Sequence, residues 1–229
     1  MQLSKEERGI ITIFLKKAVT KRRHDSKFRV IGFPALFCFC SGGEKTLLKK
    51  FLHLDPRIYG FKGVHYGVVS PPKDLMMIRK ERIPKTTKYL TMGTHYLPRK
   101  VYDAYRQMNR SMLRDIGQRV FVFSGYRSPA YQLIVFLEIL VEHKFDMRRT
   151  VKGVALPGYS EHGTPKQQAL DFTTLELRGK APNDSAFEQT KEYRWLKQHA
   201  GEFGFHLSYP RGNKFGVMFE PWHWHYENI

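Results

Sequence analysis

The chain has 229 residues, a hydrophobic fraction of 41%, and 39 lysines and arginines against 21 aspartates and glutamates, a formal charge of +18. That length suits one compact catalytic domain with extra material at an end, and the apolar fraction excludes global disorder. The basic excess favours polyanionic neighbours such as nucleic acid, anionic lipid or phosphate-rich wall polymer, or serves solubility alone.

Residues 1–29 are strongly basic and carry one short apolar patch, Ile10–Leu15. The apolar run Val30–Cys40 follows Lys21, Arg22, Arg23 and Arg29 and precedes Ser41-Gly42-Gly43. A positive flank, an apolar stretch and small residues match an export signal or anchor. The same run also reads as a buried strand, and it is too short to span a bilayer as a helix. Cys38 and Cys40, the two cysteines, lie too close for an ordinary disulfide and do not match a zinc-ligand pair. We therefore divide the chain into a basic segment with signal or anchor character (1–43), an irregular extension (44–95) and a catalytic domain (96–229). The extension is broken by Pro56, Pro71, Pro72 and Pro84 and leaves room only for short strands.

The second half is better patterned. Val101, Tyr105, Met108, Met112 and Ile116 recur at helical spacing after Pro98, and Gly117 closes that helix. Val120–Phe123 reads as a buried strand, Ser124–Pro129 as a turn, and Ala130 to about Lys144 as a second helix. Pro157 and Gly158 open a loop, Ala169–Thr173 looks like a strand, and a third helix runs from about Thr190 to Phe203. Phe205–Tyr209 and Phe215–Phe219 complete the set as strands. Helices followed by short strands with a helix inserted predict an α+β fold around a mainly antiparallel sheet.

Two stretches carry chemistry: Ser160-Glu161-His162 with Asp171 downstream, and Glu220-Pro221-Trp222-His223-Trp224-His225. A catalytic zinc takes about three imidazole or carboxylate ligands and keeps a position open for water. His162, Asp171 and His223 can supply the ligands. Glu220 can supply a base that does not bind the metal, provided the chain bends before His223. Asp171 stands out because a carboxylate in an apolar strand is costly unless paired or metal-bound. His225 shares a strand face with His223 and is a rival ligand or a group that supports the ligands from behind.

Five blocks then carry a resemblance: Ser-Gly-Tyr-Arg-Ser at 124–128, Pro-Gly-Tyr-Ser-Glu-His at 157–162, Ala-Leu-Asp at 169–171, Gly-Phe-His-Leu-Ser-Tyr-Pro at 204–210 and Glu-Pro-Trp-His at 220–223. In this order they resemble the VanY-type D-alanyl-D-alanine carboxypeptidases, zinc enzymes grouped with lysostaphin- and hedgehog-type folds. The resemblance covers about Tyr96 to Tyr226. It implies a hedgehog/D-Ala-D-Ala-peptidase-like fold, Zn2+ held by His162, Asp171 and His223, and Glu220 as catalytic base. It gives Arg127 a catalytic and substrate-facing role, and places Gln132 and Ser160 where the family hydrogen-bonds the peptide. The chain departs from the family twice. The spacing from His162 to Asp171, Gly163 to Leu170, is longer by a pair of residues, and His225 stands where an arginine is common.

The resulting expectation is hydrolysis of the C-terminal D-alanine from peptidoglycan stem peptides, outside the cytoplasm in the cell envelope. An anionic wall polymer or membrane surface is an additional partner suggested by the charge. The basic residues are scattered beyond the N-terminal cluster and form no recognised nucleic-acid motif, so no specific nucleic acid is expected. Two alternatives share the metal site: an LD-carboxypeptidase or endopeptidase, and a non-catalytic zinc-stabilised wall-binding module. Glu220 argues against the second, because a binding module needs no such base.

Overall fold

The computed structural model describes residues 2–178 and 184–227. In chain order the elements are α1 (Lys5–His24), α2 (Phe33–Cys38), α3 (Gly42–Leu52), β1 (Leu75–Ile78), β2 (Glu81–Arg82), β3 (Tyr89–Leu90), β4 (His95–Pro98) and α4 (Arg99–Ile116). Then come β5 (Phe121–Ser124), α5 (Pro129–Glu142), α6 (Met147–Gly153), β6 (Ala169–Thr173), α7 (Asp184–Glu188), α8 (Lys191–His199), β7 (Phe205–Leu207) and β8 (His223–Tyr226). Two compact units form from interleaved stretches. One takes the residues up to Pro71 with Arg127–Gly163 and Asn213–Met218; the other takes Pro72–Tyr126, Thr164–Gly212 and the residues from Phe219 onward.

The first unit is helical. Ser4 caps α1 with its side chain and Glu7 answers back to the Ser4 amide; Ser41 and Glu44 repeat this reciprocal box at α3. These boxes satisfy backbone donors that a helix start otherwise leaves open. Between the caps, Ile11, Phe14 and Leu15 of α1 join Leu47, Leu48 and Phe51 of α3 around α5. Helix α5 is apolar nearly all round, with Leu133, Phe136, Leu137 and Leu140 fully buried, as a central helix must be. Each such side chain contributes about 1.5–3 kcal/mol when taken from water. Arg22 bonds Glu138 of α5 at 3.0 Å.

The run Val30–Cys40 is not a strand. It forms the end of a 3-10 turn and then α2, with Pro34 at the start of the helix, where a missing N–H is tolerated. Residues 44–95 are also less irregular than expected, since α3 begins at Gly42 and runs to Leu52. The apolar stretch there is too short to show a helical period against its charged neighbours, and the cap residues were the legible signal. Among the described residues no helix is long and apolar enough to cross a membrane.

The second unit contains an antiparallel sheet in the order β5-β6-β8-β7, with the pairs β1–β4 and β2–β3 beside it in sequence. The predicted helix after Pro98 is α4, and Gly117 ends it in the left-handed conformation with φ of 66°. Tyr105, Met108 and Met112 of α4 pack with Trp195 and Leu196 of α8 against Leu170, Phe172, Trp224 and Tyr226 of the sheet. Trp195 Nε1 donates to Asp115 at 2.8 Å, tying α8 to the end of α4. The predicted third helix divides into α8 and a 3-10 turn at Ala200–Phe203. The expected strand Phe215–Phe219 is not one; the last strand is β8, built from the His223–Tyr226 stretch instead. Turn residues Gly212, Asn213 and Gly216 flank Phe215 and interrupt the extended backbone that its aromatic composition suggested.

A buried polar hub anchors the start of β5. Glu81 accepts bonds from Arg119 at 2.6 Å, from the Tyr105 hydroxyl at 2.6 Å and from the Val122 amide at 3.0 Å. Burial pushes the Glu81 carboxyl above its ordinary range even though Arg119 and Tyr105 oppose the shift. Removing one partner of such a cluster strands the other. Glu81→Ala should therefore destabilise the protein by about 3–5 kcal/mol in urea unfolding. A loss below about 1 kcal/mol, the scale of an exposed pair, would contradict this role.

The two cysteines should differ in reactivity. Cys38 is exposed, whereas burial, aided by the charge of Glu44, pushes the half-buried Cys40 thiol up to about 11. At pH 8 about one Cys40 in a thousand is then thiolate, the reactive form. Alkylation at pH 8 followed by peptide mass analysis should label Cys38 well before Cys40; equal rates would contradict the burial of Cys40.

Candidate metal centre

The side-chain period of two in a strand decides which residues face the core. In β6, Leu170 and Phe172 enter the apolar core, which turns Asp171 to the opposite face. In β8, Trp224 and Tyr226 do the same and leave His223 and His225 on the Asp171 side. Antiparallel pairing then places Asp171 directly opposite His223. Their side chains meet, with Asp171 Oδ1 and His223 Nδ1 2.9 Å apart, both largely shielded from solvent.

The bend required for Glu220 is present. The His223 amide donates to the Glu220 carbonyl at 3.0 Å, closing a four-residue turn with Pro221 in its second position. Proline suits that position because its φ is already fixed near the value needed. The Glu220 carboxylate comes 3.8 Å from His223 Nδ1. The Glu220 amide also donates to the Tyr209 carbonyl at 3.1 Å, and the Tyr209 ring stacks on His223 with centroids 4.9 Å apart. Tyr209 belonged to a recognised sequence block, yet nothing in the spacing marked it as a neighbour of His223.

His162 sits in the 3-10 turn Glu161–Gly163 and is 2% exposed. Its carbonyl accepts the Arg127 amide at 3.0 Å, so the turn is latched to the Ser-Gly-Tyr-Arg-Ser stretch. Gly125 in that stretch is required sterically, because a Cβ there would run into the Tyr96 carbonyl. Beside His162, Glu161 accepts the Tyr66 hydroxyl at 3.1 Å, and the Tyr66 amide donates to Gly158 at 2.7 Å. Tyr66 lies in the stretch whose role the sequence left unread; burial and the Glu161 charge push its phenol upward.

His162, Asp171 and His223 each offer one ligand atom, and these atoms all lie within 4.8 Å of one another. Zinc bonds nitrogen and oxygen at about 2.0–2.2 Å, so two atoms on one ion stand at most about 4.4 Å apart. Small side-chain adjustments therefore suffice, and two imidazoles with a carboxylate form a donor set that suits zinc. The residues fit the metal. Between His162 and Asp171 the chain passes through the 3-10 turn Pro165–Gln167 before β6 begins.

His225 is not in this group. Its Nδ1 lies 2.8 Å from the Ser208 hydroxyl and its Nε2 lies 3.1 Å from Glu227. It pairs across the sheet with Ala169 and His206. Gln132 lies inside α5, is 1% exposed, and donates its amide to the Ala155 carbonyl at 2.7 Å. Ser160 is buried and its carbonyl accepts the Gly163 amide, while the Arg127 side chain is half-buried.

Comparison with known proteins adds a second line. The family model described as VanY, D-alanyl-D-alanine carboxypeptidase, matches residues 94–229. YodJ of Bacillus subtilis (strain 168) is 31% identical over 135 residues, 57% of this chain and 46% of that protein. A D-alanyl-D-alanine carboxypeptidase of Enterococcus faecium is 24% identical over 137 residues, 58% of this chain and 38% of its own. The chain thus spans less than half the length of these curated relatives. Among solved structures, the LdcB LD-carboxypeptidase aligns with a TM-score of 0.53 and 28% identity, covering 68% of each chain. The match to the family model takes in the blocks that bring Arg127, His162, Asp171, Glu220 and His223 into the chain, and the protein belongs to the VanY D-alanyl-D-alanine carboxypeptidase family.

Proposed function

We propose that the protein is a zinc-dependent carboxypeptidase that removes the terminal D-alanine from peptidoglycan stem peptides. The observation that carries this reading is the convergence of His162, Asp171 and His223 within 4.8 Å, with Glu220 turned back beside His223. Membership of the VanY family supports it. Residues 96–229 carry the apparatus, and the substrate places its action outside the cytoplasm, in the cell envelope.

When bound, zinc supplies Lewis acidity that activates a water and polarises the scissile carbonyl. The chain does the remaining work. Sheet register holds Asp171 opposite His223, and the Arg127 amide holds the turn that carries His162. Glu220 takes the proton from the attacking water as the C–O bond forms. It then delivers that proton to the departing amine nitrogen as the C–N bond breaks. Arg127 neutralises negative charge, on the substrate's terminal carboxylate or on the oxyanion. Gln132 and Ser160 support the peptide-binding wall, with Gln132 acting through its bond to Ala155.

A second reading, cleavage of a D-residue from an L-residue, rests on the likeness to the LD-carboxypeptidase LdcB. The two readings share the metal group and differ in the pocket for the penultimate residue. Peptides ending in D-Ala-D-Ala and in L-Lys-D-Ala, given to the zinc-loaded protein, separate them. Faster D-alanine release from the first supports the proposal; release from the second alone transfers it to the LD class.

Glu220→Gln should keep the fold and bind zinc but lose activity by about 10²–10⁴-fold, the usual contribution of a positioned acid–base group. Full turnover in that variant would remove Glu220 from the mechanism. Arg127→Ala should impair peptides with a free C-terminal carboxylate more than their amides. An equal loss on both would assign Arg127 to the oxyanion.

A further inference from the structure

A concave site distinct from the candidate metal centre lies wholly within the unit that contains α4. It is a cavity of about 600 Å3 between β1, β2, β3 and one face of α4. Arg79, Lys80 and Arg82 line it from the strand side, and Arg106 and Arg110 line it from the helix. All five are exposed, and none pairs with a carboxylate among the described residues. Glu81 is the acidic residue in the lining, and it is already committed to Arg119, Tyr105 and Val122. A concave wall of cations with one neutralised acid focuses positive potential.

Two further features suit a phosphate ligand. Arg106 and Arg110 are one helical turn apart, about 5–6 Å between Cβ atoms, a spacing that suits successive phosphates of a flexible chain. Arginine's planar fork binds phosphate through paired N–H donors. Asn109 lies between them, is 3% exposed, and accepts the Val120 amide on its Oδ1. Its Nδ2 is shielded from solvent and meets no acceptor among the described residues, an unsatisfied donor on a residue of the cavity wall.

The aromatic lining argues against base stacking. Lys80 sits over the Tyr89 ring at 5.2 Å and Arg106 over the Tyr102 ring at 5.7 Å. A face of each ring is thus covered by a cation, whereas single-stranded nucleic acid is held largely by stacking bases on open rings. The same contacts hold the cations in place for a phosphate.

We propose that this cavity binds a linear polyol-phosphate polymer of the cell wall, docking the protein beside its peptide substrate. The choice of polymer rests on the peptidase reading above; the anion site rests on the cavity itself. The test uses the full chain and a fluorescently labelled poly(glycerol phosphate), with binding followed by anisotropy across a salt series. Arg106→Glu combined with Arg110→Glu should weaken binding by at least about tenfold and flatten its dependence on salt, because fewer counterions are released. Lys49→Glu combined with Arg148→Glu makes the same change in net charge at exposed positions outside the cavity, and should weaken binding by less than about threefold. Thermal melting confirms that both variants fold, and D-alanine release, unchanged in both, separates docking from catalysis. Equal weakening in the two variants would reduce the effect to net charge and overturn the proposal. Absence of binding by the unaltered protein would overturn it too, as would tighter binding of an oligonucleotide with the same number of phosphates.

Discussion

Asp171 and His223 stand directly opposite each other on β6 and β8, and the proposed chemistry depends on that register. Strand alternation sends Leu170, Phe172, Trp224 and Tyr226 into the core and the polar pair to the other face. A slip of one residue would exchange the faces, burying the carboxylate among aromatic rings and exposing Trp224. The apolar packing under the sheet therefore does more than stabilise the fold. It sets which side chains can reach a metal. Phe172 illustrates the coupling, since its ring lies 5.9 Å from Tyr105 of α4 and 6.0 Å from Phe205 of β7 while its neighbour Asp171 is a ligand candidate.

Backbone contacts complete the arrangement. The Glu220–His223 turn brings a carboxylate back toward His223, and Pro221 pre-forms it. The Arg127 amide holds the turn bearing His162, so the residue proposed to handle substrate charge also holds a candidate ligand through its main chain. Substituting the Arg127 side chain leaves that latch intact, which makes its effect on substrate handling readable.

The residues that converge at the candidate metal centre were named from the sequence, while parts of the architecture around them were not. His162, Asp171, Glu220 and His223 could be read because carboxylates and imidazoles beside apolar strand residues are chemically conspicuous, and five blocks in order narrowed their roles. Helix α4 was legible from its amphipathic period and its closing Gly117. The strand Phe215–Phe219 was misread because aromatic composition favours strands while Gly212, Asn213 and Gly216 break the backbone. Of the two readings of Val30–Cys40, the buried strand fails because so short an apolar run has no distinguishing period and forms α2 instead. The contacts of Tyr66 with Glu161 and of Tyr209 with His223 join residues far apart in sequence or across a turn, and no local pattern encodes them. His225 was a fair rival by alternation; its bonds to Ser208 and Glu227 are tertiary facts.

The central claim is that zinc is held by His162, Asp171 and His223. X-ray absorption at the zinc edge tests it most directly, on the loaded protein and on His223→Ala and His225→Ala variants. The account predicts two imidazoles and oxygen donors with no sulfur, one imidazole remaining in His223→Ala, and both retained in His225→Ala. Loss of an imidazole in His225→Ala with none lost in His223→Ala, or sulfur in the coordination shell, would contradict it.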